Sequence, residues 1–364
     1  MPMSLKASCS INLGFPYHQH KTPAQSLSCL SSFLNEQKEN GTEIDAELGN
    51  DHGARLLEDK MAKLLGTEAA LWFPTGVLAQ GIAARIHGQQ MNNDQLLLHP
   101  SSHLLLHEEH GYGHAHGCSA KVIGKWREPL TSDDISGDHG CAFVELPQRH
   151  SGGKLPNWSE LQKIKNRCKT LGIPLHMDGA RLWSCRPFYD NRSYADIVAG
   201  FDSVYVSFYK DIGAMGGAVL AGSQEFIDEA RKWRTRLGGF SVGSWPLIYD
   251  ALHLIDKRIK QMPAFIEKAK GIAGAIKHIS DLRVDPVIPH TNLFHILLET
   301  SFDKATYARN RIATEQGIWL SDRFWNYESP NRCTMEFVVG EKALAMTNQT
   351  FVNALQQFAN LLRS

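Results

Sequence analysis

Two residues, Asp178 and Lys210, each lie at or just past the end of an apolar run. A lysine amine in a partly desolvated pocket can attack an aldehyde and form an imine. A carboxylate nearby favours the positive charge on a protonated ring nitrogen. His103 and His150 are imidazoles able to move protons near neutral pH. Arg181 and Arg332 carry planar guanidinium groups that can hold a carboxylate by two parallel bonds. Thr75-Gly76-Val77 opens an apolar helical stretch, and amides at a helix start can hold a phosphate. Taken singly, each has a plainer reading. Asp178 is a turn residue, Lys210 a surface lysine, His103 a buried imidazole bonded to backbone, each Arg a salt-bridge partner, and Thr75-Gly76 a strand-to-helix turn.

The surrounding elements decide whether these residues meet. Arg55–Leu65 has apolar residues at helical spacing, with Gly66 as a stop. Ala69–Phe73 reads as a buried strand, and Val77–Ile86 as a helix. Cys141–Leu146 is a strand. Asn157 caps a helix that runs to Gly172, and Ile173–Asp178 is the next strand. A further helical stretch leads to a strand over 202–208. This strand–helix alternation predicts a mainly parallel sheet with helices on its faces. Ligands of such sheets bind at the carboxyl ends of the strands, where Asp178, Ser207 and Lys210 all fall. A long helix follows Leu247 and reaches His278. Strands at 292–299 and 332–339 and a final helix from about Lys342 to Leu362 complete a smaller α/β domain. The expected division is a large domain over 1–246, with an N-terminal arm of about 40 residues, and a small one over 247–364.

The wording around the two chemical residues is specific. Leu175-His-Met-Asp-Gly-Ala-Arg-Leu-Trp183 resembles the H-x-D-G-A-R signature of the threonine aldolase and aromatic amino acid β-eliminating lyase family. The segment from Asp202 through Lys210 to Gly222 resembles that family's lysine segment. Gly49-Asn-Asp-His-Gly53, Leu71-Trp-Phe-Pro-Thr-Gly76 and His99-Pro-Ser-Ser-His-Leu-Leu-Leu-His-Glu-Glu109 extend the likeness. The Glu145-Leu-Pro-Gln-Arg wording is similar to a less-studied, β-eliminating-lyase-like branch.

The resemblance implies the fold-type I architecture of pyridoxal 5'-phosphate (PLP) enzymes. It implies a Schiff base on Lys210, with Asp178 holding the ring nitrogen protonated and His103 stacked on the ring. Thr75, Gly76, Val77 and Ser207 would hold the phosphate. Arg181 and Arg332 would bind the substrate carboxylate. His103 is the first candidate for proton transfer at a β-hydroxyl and His150 the second, with Glu108 supporting His103. The implied activity is that of a carbon–carbon lyase cleaving a β-hydroxy amino acid to glycine and an aldehyde. Alternatives are β-elimination, transamination, or a PLP- or metal-binding protein without turnover. A homodimer or homotetramer is implied.

Three positions depart from the family pattern. Val77 stands where a hydroxyl residue is usual, Tyr209 where Ser often precedes the lysine, and Val242 near the place of a phosphate-binding Arg. A dense stretch, His107, Glu108, His110, His114 and His116, could bind a transition metal, but no defined ligand spacing is present, so no metal is expected.

Thirty-eight basic and 38 acidic residues balance to zero net charge, which argues against nucleic-acid or membrane-surface partners. Seven cysteines without a C-x-x-C pair argue for a reducing compartment rather than a disulfide framework. With neither an apolar leader nor a membrane-length apolar run, a cytoplasmic protein is expected.

Overall fold

The structure is a computed structural model that describes residues 4–19, 21–41, 52–241 and 243–363. It divides into two compact units, Lys21–His150 with Leu155–Lys260, and Met1–His20 with Ser151–Lys154 and Gln261–Ser364.

The larger unit begins with α1 (Pro23–Glu39), opened by a reciprocal cap between Thr22 and Gln25. In α2 (His52–Leu65), Leu57, Met61 and Leu65 repeat every fourth residue and are fully buried. Gly66, at φ +70, ends it. β1 (Ala69–Phe73) leads into α3 (Gly76–Met91), which passes the expected end at Ile86 and closes on Asn92 in the left-handed region. β2 (Gln95–Leu98), β3 (Ser119–Val122) and β4 (Cys141–Glu145) follow. α4 (Trp158–Leu171) starts where Asn157 Oδ1 accepts from the Glu160 amide at 2.8 Å and stops at left-handed Gly172. β5 (Leu175–Gly179) and β6 (Ser203–Ser207) complete the motif-bearing strands.

Between β5 and β6 the expected helical stretch is broken up. Two 3-10 turns, Leu182–Ser184 and Arg186–Tyr189, precede a five-residue helix, Tyr194–Val198. Pro187 lacks an amide to extend a helix, and Asp190 and Asn191 take positive φ values of 53° and 58°. β7 (Ala218–Gly222), which the sequence reading did not single out as a strand, returns antiparallel between β1 and β6. The sheet order is therefore β1-β7-β6-β5-β4-β2-β3, parallel except at β7. α5 (Gln224–Arg236) and α6 (Trp245–Ile276) follow.

Register places Glu145, Asp178, Tyr205, Leu220 and Leu71 in one row across five strands. Register partners stand on the same face of a sheet. The side chains that matter below therefore share one face near one edge.

The other unit holds a four-stranded antiparallel sheet in the order Phe324–Ser329, Arg332–Val338, Leu293–Leu298, Arg283–Asp285. Ile11–Asn12 pairs in parallel with Ile318–Trp319. The expected single final helix is two, Glu341–Leu344 and Asn348–Arg363. Thr347 Oγ1 accepts from the Thr350 amide at 3.3 Å, so a new helix is capped where the first has ended.

Candidate active site

Lys210 lies in the turn that leaves β6, three residues after Ser207, and is half-buried. Burial, reinforced by the Arg181 guanidinium, lowers its amine to about 8, against the pull of Asp178 and Glu145. The free amine is therefore more accessible than in an ordinary lysine. Asp178, on β5, is 3% exposed. Its Oδ2 accepts from Gln80 Nε2 at 3.0 Å and its Oδ1 from the Ala180 amide at 3.1 Å. Two donors fix the carboxylate in one orientation.

Glu145 closes β4 directly beside Asp178 in register. Its Oε1 accepts from the Arg149 amide at 3.1 Å, and its buried Oε2 has no hydrogen-bond partner. Burial, and then the Asp178 charge, raise its carboxyl to about 8. Burial thus favours the protonated form of Glu145.

His103 opens the short helix His103–Leu106, and its Nδ1 is 2.8 Å from Glu108 Oε1. Burial, and next the Lys210 charge, lower the imidazole to about 4. Burial raises Glu108 to about 7. Gln80 reaches this carboxylate too, at 3.5 Å, and so links the Asp178 and Glu108 sites. Beside His103, at 5.0 Å between ring centroids, lies His107. His107 Nε2 is 2.6 Å from Nε2 of His150, which is 1% exposed. Trp126 stacks on His150 at 6.4 Å.

The N-terminus of α3 points at this carboxyl edge, because α3 directly follows β1 and β1 runs parallel to β6. Thr75 is exposed, and its Oγ1 accepts from the Leu78 amide at 3.3 Å, which leaves its own proton to donate. Val77 is 44% exposed. The first-turn amides of Gly76 and Val77 have no acceptor within the helix.

Residues 36–297 match the β-eliminating lyase family. The chain belongs to that family. It is 29% identical over 299 residues to a low-specificity L-threonine aldolase of Arabidopsis thaliana, covering 76% of this chain and 81% of that one. A solved structure from Listeria monocytogenes, proposed to be an L-allo-threonine aldolase, is 34% identical with a TM-score of 0.86 over 97% of this chain and 98% of that one. Another, from Exiguobacterium sp. 255-15 and proposed to be an aromatic amino acid β-eliminating lyase or threonine aldolase, is 28% identical with a TM-score of 0.87 over 98% of each chain. The fold is that of the fold-type I PLP enzymes, a mostly parallel sheet flanked by helices with a C-terminal antiparallel-sheet unit.

Within this family architecture, several expected site residues come together. Asp178, Arg181 and His103 all lie within electrostatic reach of Lys210. Arg181 is 5% exposed, and its Nε lies 3.9 Å from Asp211 Oδ1 without a hydrogen bond. Others are placed differently. The Ser207 hydroxyl is fully buried and donates to the Ala180 carbonyl at 2.8 Å. Arg332 opens a strand of the other unit, 56% exposed, with its Nε 3.1 Å from Glu299. Val242 and Gly49-Asn50-Asp51 lie outside the described residues. Gly76 also has a reason unrelated to phosphate: a Cβ there would lie 2.0 Å from the Tyr205 hydroxyl.

The sequence reading missed Gln80, the role of Glu145, and His107 as the partner of His150. Gln80 is an uncharged polar residue inside the mostly apolar run 77–86, one helical turn beyond Gly76. Glu145 ends a parallel strand beside Asp178. Both were available as signals. Among the described residues, no three His, Cys, Asp or Glu side chains are placed to hold a metal ion.

The donor set fits an aldehyde-bearing, ring-protonated phosphate ester. It comprises a lysine held near 8, an oriented carboxylate, a helix start with donors, and a buried guanidinium nitrogen without a hydrogen bond.

Proposed function

We propose that this protein is a PLP-dependent aldolase that cleaves the Cα–Cβ bond of a β-hydroxy amino acid to glycine and an aldehyde. The observation that carries the proposal is the pairing of a lysine lowered to about 8 with an oriented, buried carboxylate at the same sheet edge. When bound, the cofactor supplies the aldehyde that captures the amine and the protonated ring that accepts electrons from Cα.

Lys210 would hold the cofactor through its amine. Asp178, steadied by Gln80, would stabilise positive charge on the cofactor's ring nitrogen. His103 would cover the ring. The amides of Gly76 and Val77 and the Thr75 hydroxyl would form the phosphate cup, the Ser207 proton being committed to the Ala180 carbonyl. Arg181 or Arg332 binds the substrate carboxylate, and so selects the Cα bond that breaks. His150 is a proton acceptor for the β-hydroxyl. Each role is supported by residue chemistry and by the likeness to L-threonine aldolases.

The protein is proposed to act as a homodimer or homotetramer. Its seven cysteines are free, which supports a reducing, cytoplasmic setting. No helix among the described residues is long and apolar enough to cross a membrane.

The test has two parts. Borohydride is added to the yellow holoprotein and the modified residue is mapped; a label on a lysine other than Lys210 overturns the site. The holoprotein is then given allo-threonine, serine and a cysteine analogue. Glycine plus acetaldehyde from allo-threonine is the expected result. Keto acids alone would sink the lyase reading, and pyruvate from serine without aldehyde release would replace cleavage with elimination.

A further inference from the structure

His107 and His150 are 43 residues apart in sequence, yet their Nε2 atoms lie 2.6 Å apart, shorter than an ordinary N–H···N contact. Two imidazoles can meet in this way only if one nitrogen donates and the other accepts, so a single proton lies between them. The two rings differ in setting. His150 is 1% exposed and walled by Trp126, whereas His107 is exposed to solvent. His107 also lies against His103, whose electrostatic neighbours include Lys210 and Asp178. The pair therefore reaches from solvent to the flank of the reacting centre.

We propose that His107 is a positioning residue for His150, and that the two imidazoles act as one proton-holding pair for the substrate's β-hydroxyl. This rests on the aldol-cleavage reading above. The hydroxyl proton enters the pair on a ring nitrogen outside the shared bond. The O–H electron pair becomes the aldehyde C=O, and the Cα–Cβ electrons stay on Cα. A proton returns to Cα to give glycine, so the sum needs no oxidant or reductant. A lone buried imidazolium would be poorly solvated. Sharing the proton with an exposed ring spreads that charge toward water. His103 Nδ1 is engaged by Glu108 at 2.8 Å, and this imidazole would serve as the ring cover.

The experiment compares wild type with His107→Phe and His107→Gln. The first readout needs no cofactor. Protein stripped of PLP should show a strongly downfield imidazole N–H proton resonance that both variants lack. The second is a pair of reactions of the holoprotein: aldehyde release from allo-threonine, and exchange of a glycine Cα hydrogen in D2O. Exchange involves no β-hydroxyl. Both variants should lose cleavage by about tenfold or more, chiefly in kcat, while glycine exchange and the Lys210 label persist. Equal losses in both reactions, no loss of cleavage, or a variant that keeps the downfield resonance would overturn the pair. Wild type that exchanges glycine but releases no aldehyde would instead sink the aldolase reading beneath it.

Discussion

Glu145 and Asp178 are register partners on adjacent parallel strands, and their two carboxyl groups have different hydrogen-bond surroundings. Asp178 has two hydrogen-bond donors, at 3.0 and 3.1 Å. Glu145 has one, from the Arg149 amide, and a buried oxygen without any. Burial, and next the Asp178 carboxylate beside it, push the Glu145 carboxyl up, because unsolvated charge is costly and a neighbouring carboxylate repels it.

A pH-dependent stability difference follows. The Glu145 carboxyl is raised to about 8 in the folded chain, well above the ordinary carboxylate range that applies when unfolded. The folded state binds more protons than the unfolded one across that window, so stability is lost as pH rises through it. Glu145→Gln is neutral throughout. Its melting temperature should match wild type near pH 4.5 and exceed it increasingly toward pH 8. Parallel melting curves across this range would show that Glu145 is ionised in the folded state.

Gln80 is the donor that fixes Asp178 Oδ2. Gln80→Leu keeps similar bulk and removes the amide. A hydrogen bond to a charged group is worth about 1.5–3 kcal/mol. The loss in kcat should therefore be roughly tenfold to hundredfold, with the cofactor still attached to Lys210. An unchanged kcat would mean that Asp178 is held adequately by the Ala180 amide alone.

Gly76 should tolerate no side chain. A Cβ would meet the Tyr205 hydroxyl at 2.0 Å and its Cζ at 2.5 Å, and Tyr205 is 1% exposed. Gly76→Ala should destabilise the protein by about 1–3 kcal/mol in a denaturant titration, as overpacking of a tight site does. Adding Tyr205→Phe removes only the nearer of the two atoms and should recover only part of the loss. Full recovery would locate the whole clash at the hydroxyl.

Arg332 separates a structural role from a binding one. Its ion pair with Glu299 is exposed on both sides, at 56% and 66%. Such a pair contributes at most about 1 kcal/mol. Arg332→Gln should leave unfolding midpoints nearly unchanged. If Arg332 binds the substrate carboxylate, KM for allo-threonine should rise by about tenfold or more, in line with a lost charge-assisted bond. Unaltered KM would leave Arg181 as the carboxylate binder.

Local chemistry was enough to read several elements directly. The start of α4 at Asn157 and its stop at Gly172 follow from a side-chain acceptor and a residue free to take positive φ. The buried run 69–73 and the pairing of a strand-end aspartate with a lysine after the next strand were equally legible. Patterns read so easily depend on neighbours within a few residues. The choice of β7 as an antiparallel strand between β1 and β6, the Gln80–Asp178 bond and the His107–His150 contact were not legible. Each joins residues tens of positions apart or depends on which strands become neighbours. No local preference encodes such distances. They are set when burial of the whole sheet brings particular side chains into one low-dielectric space, where an unmet donor or charge must find a partner.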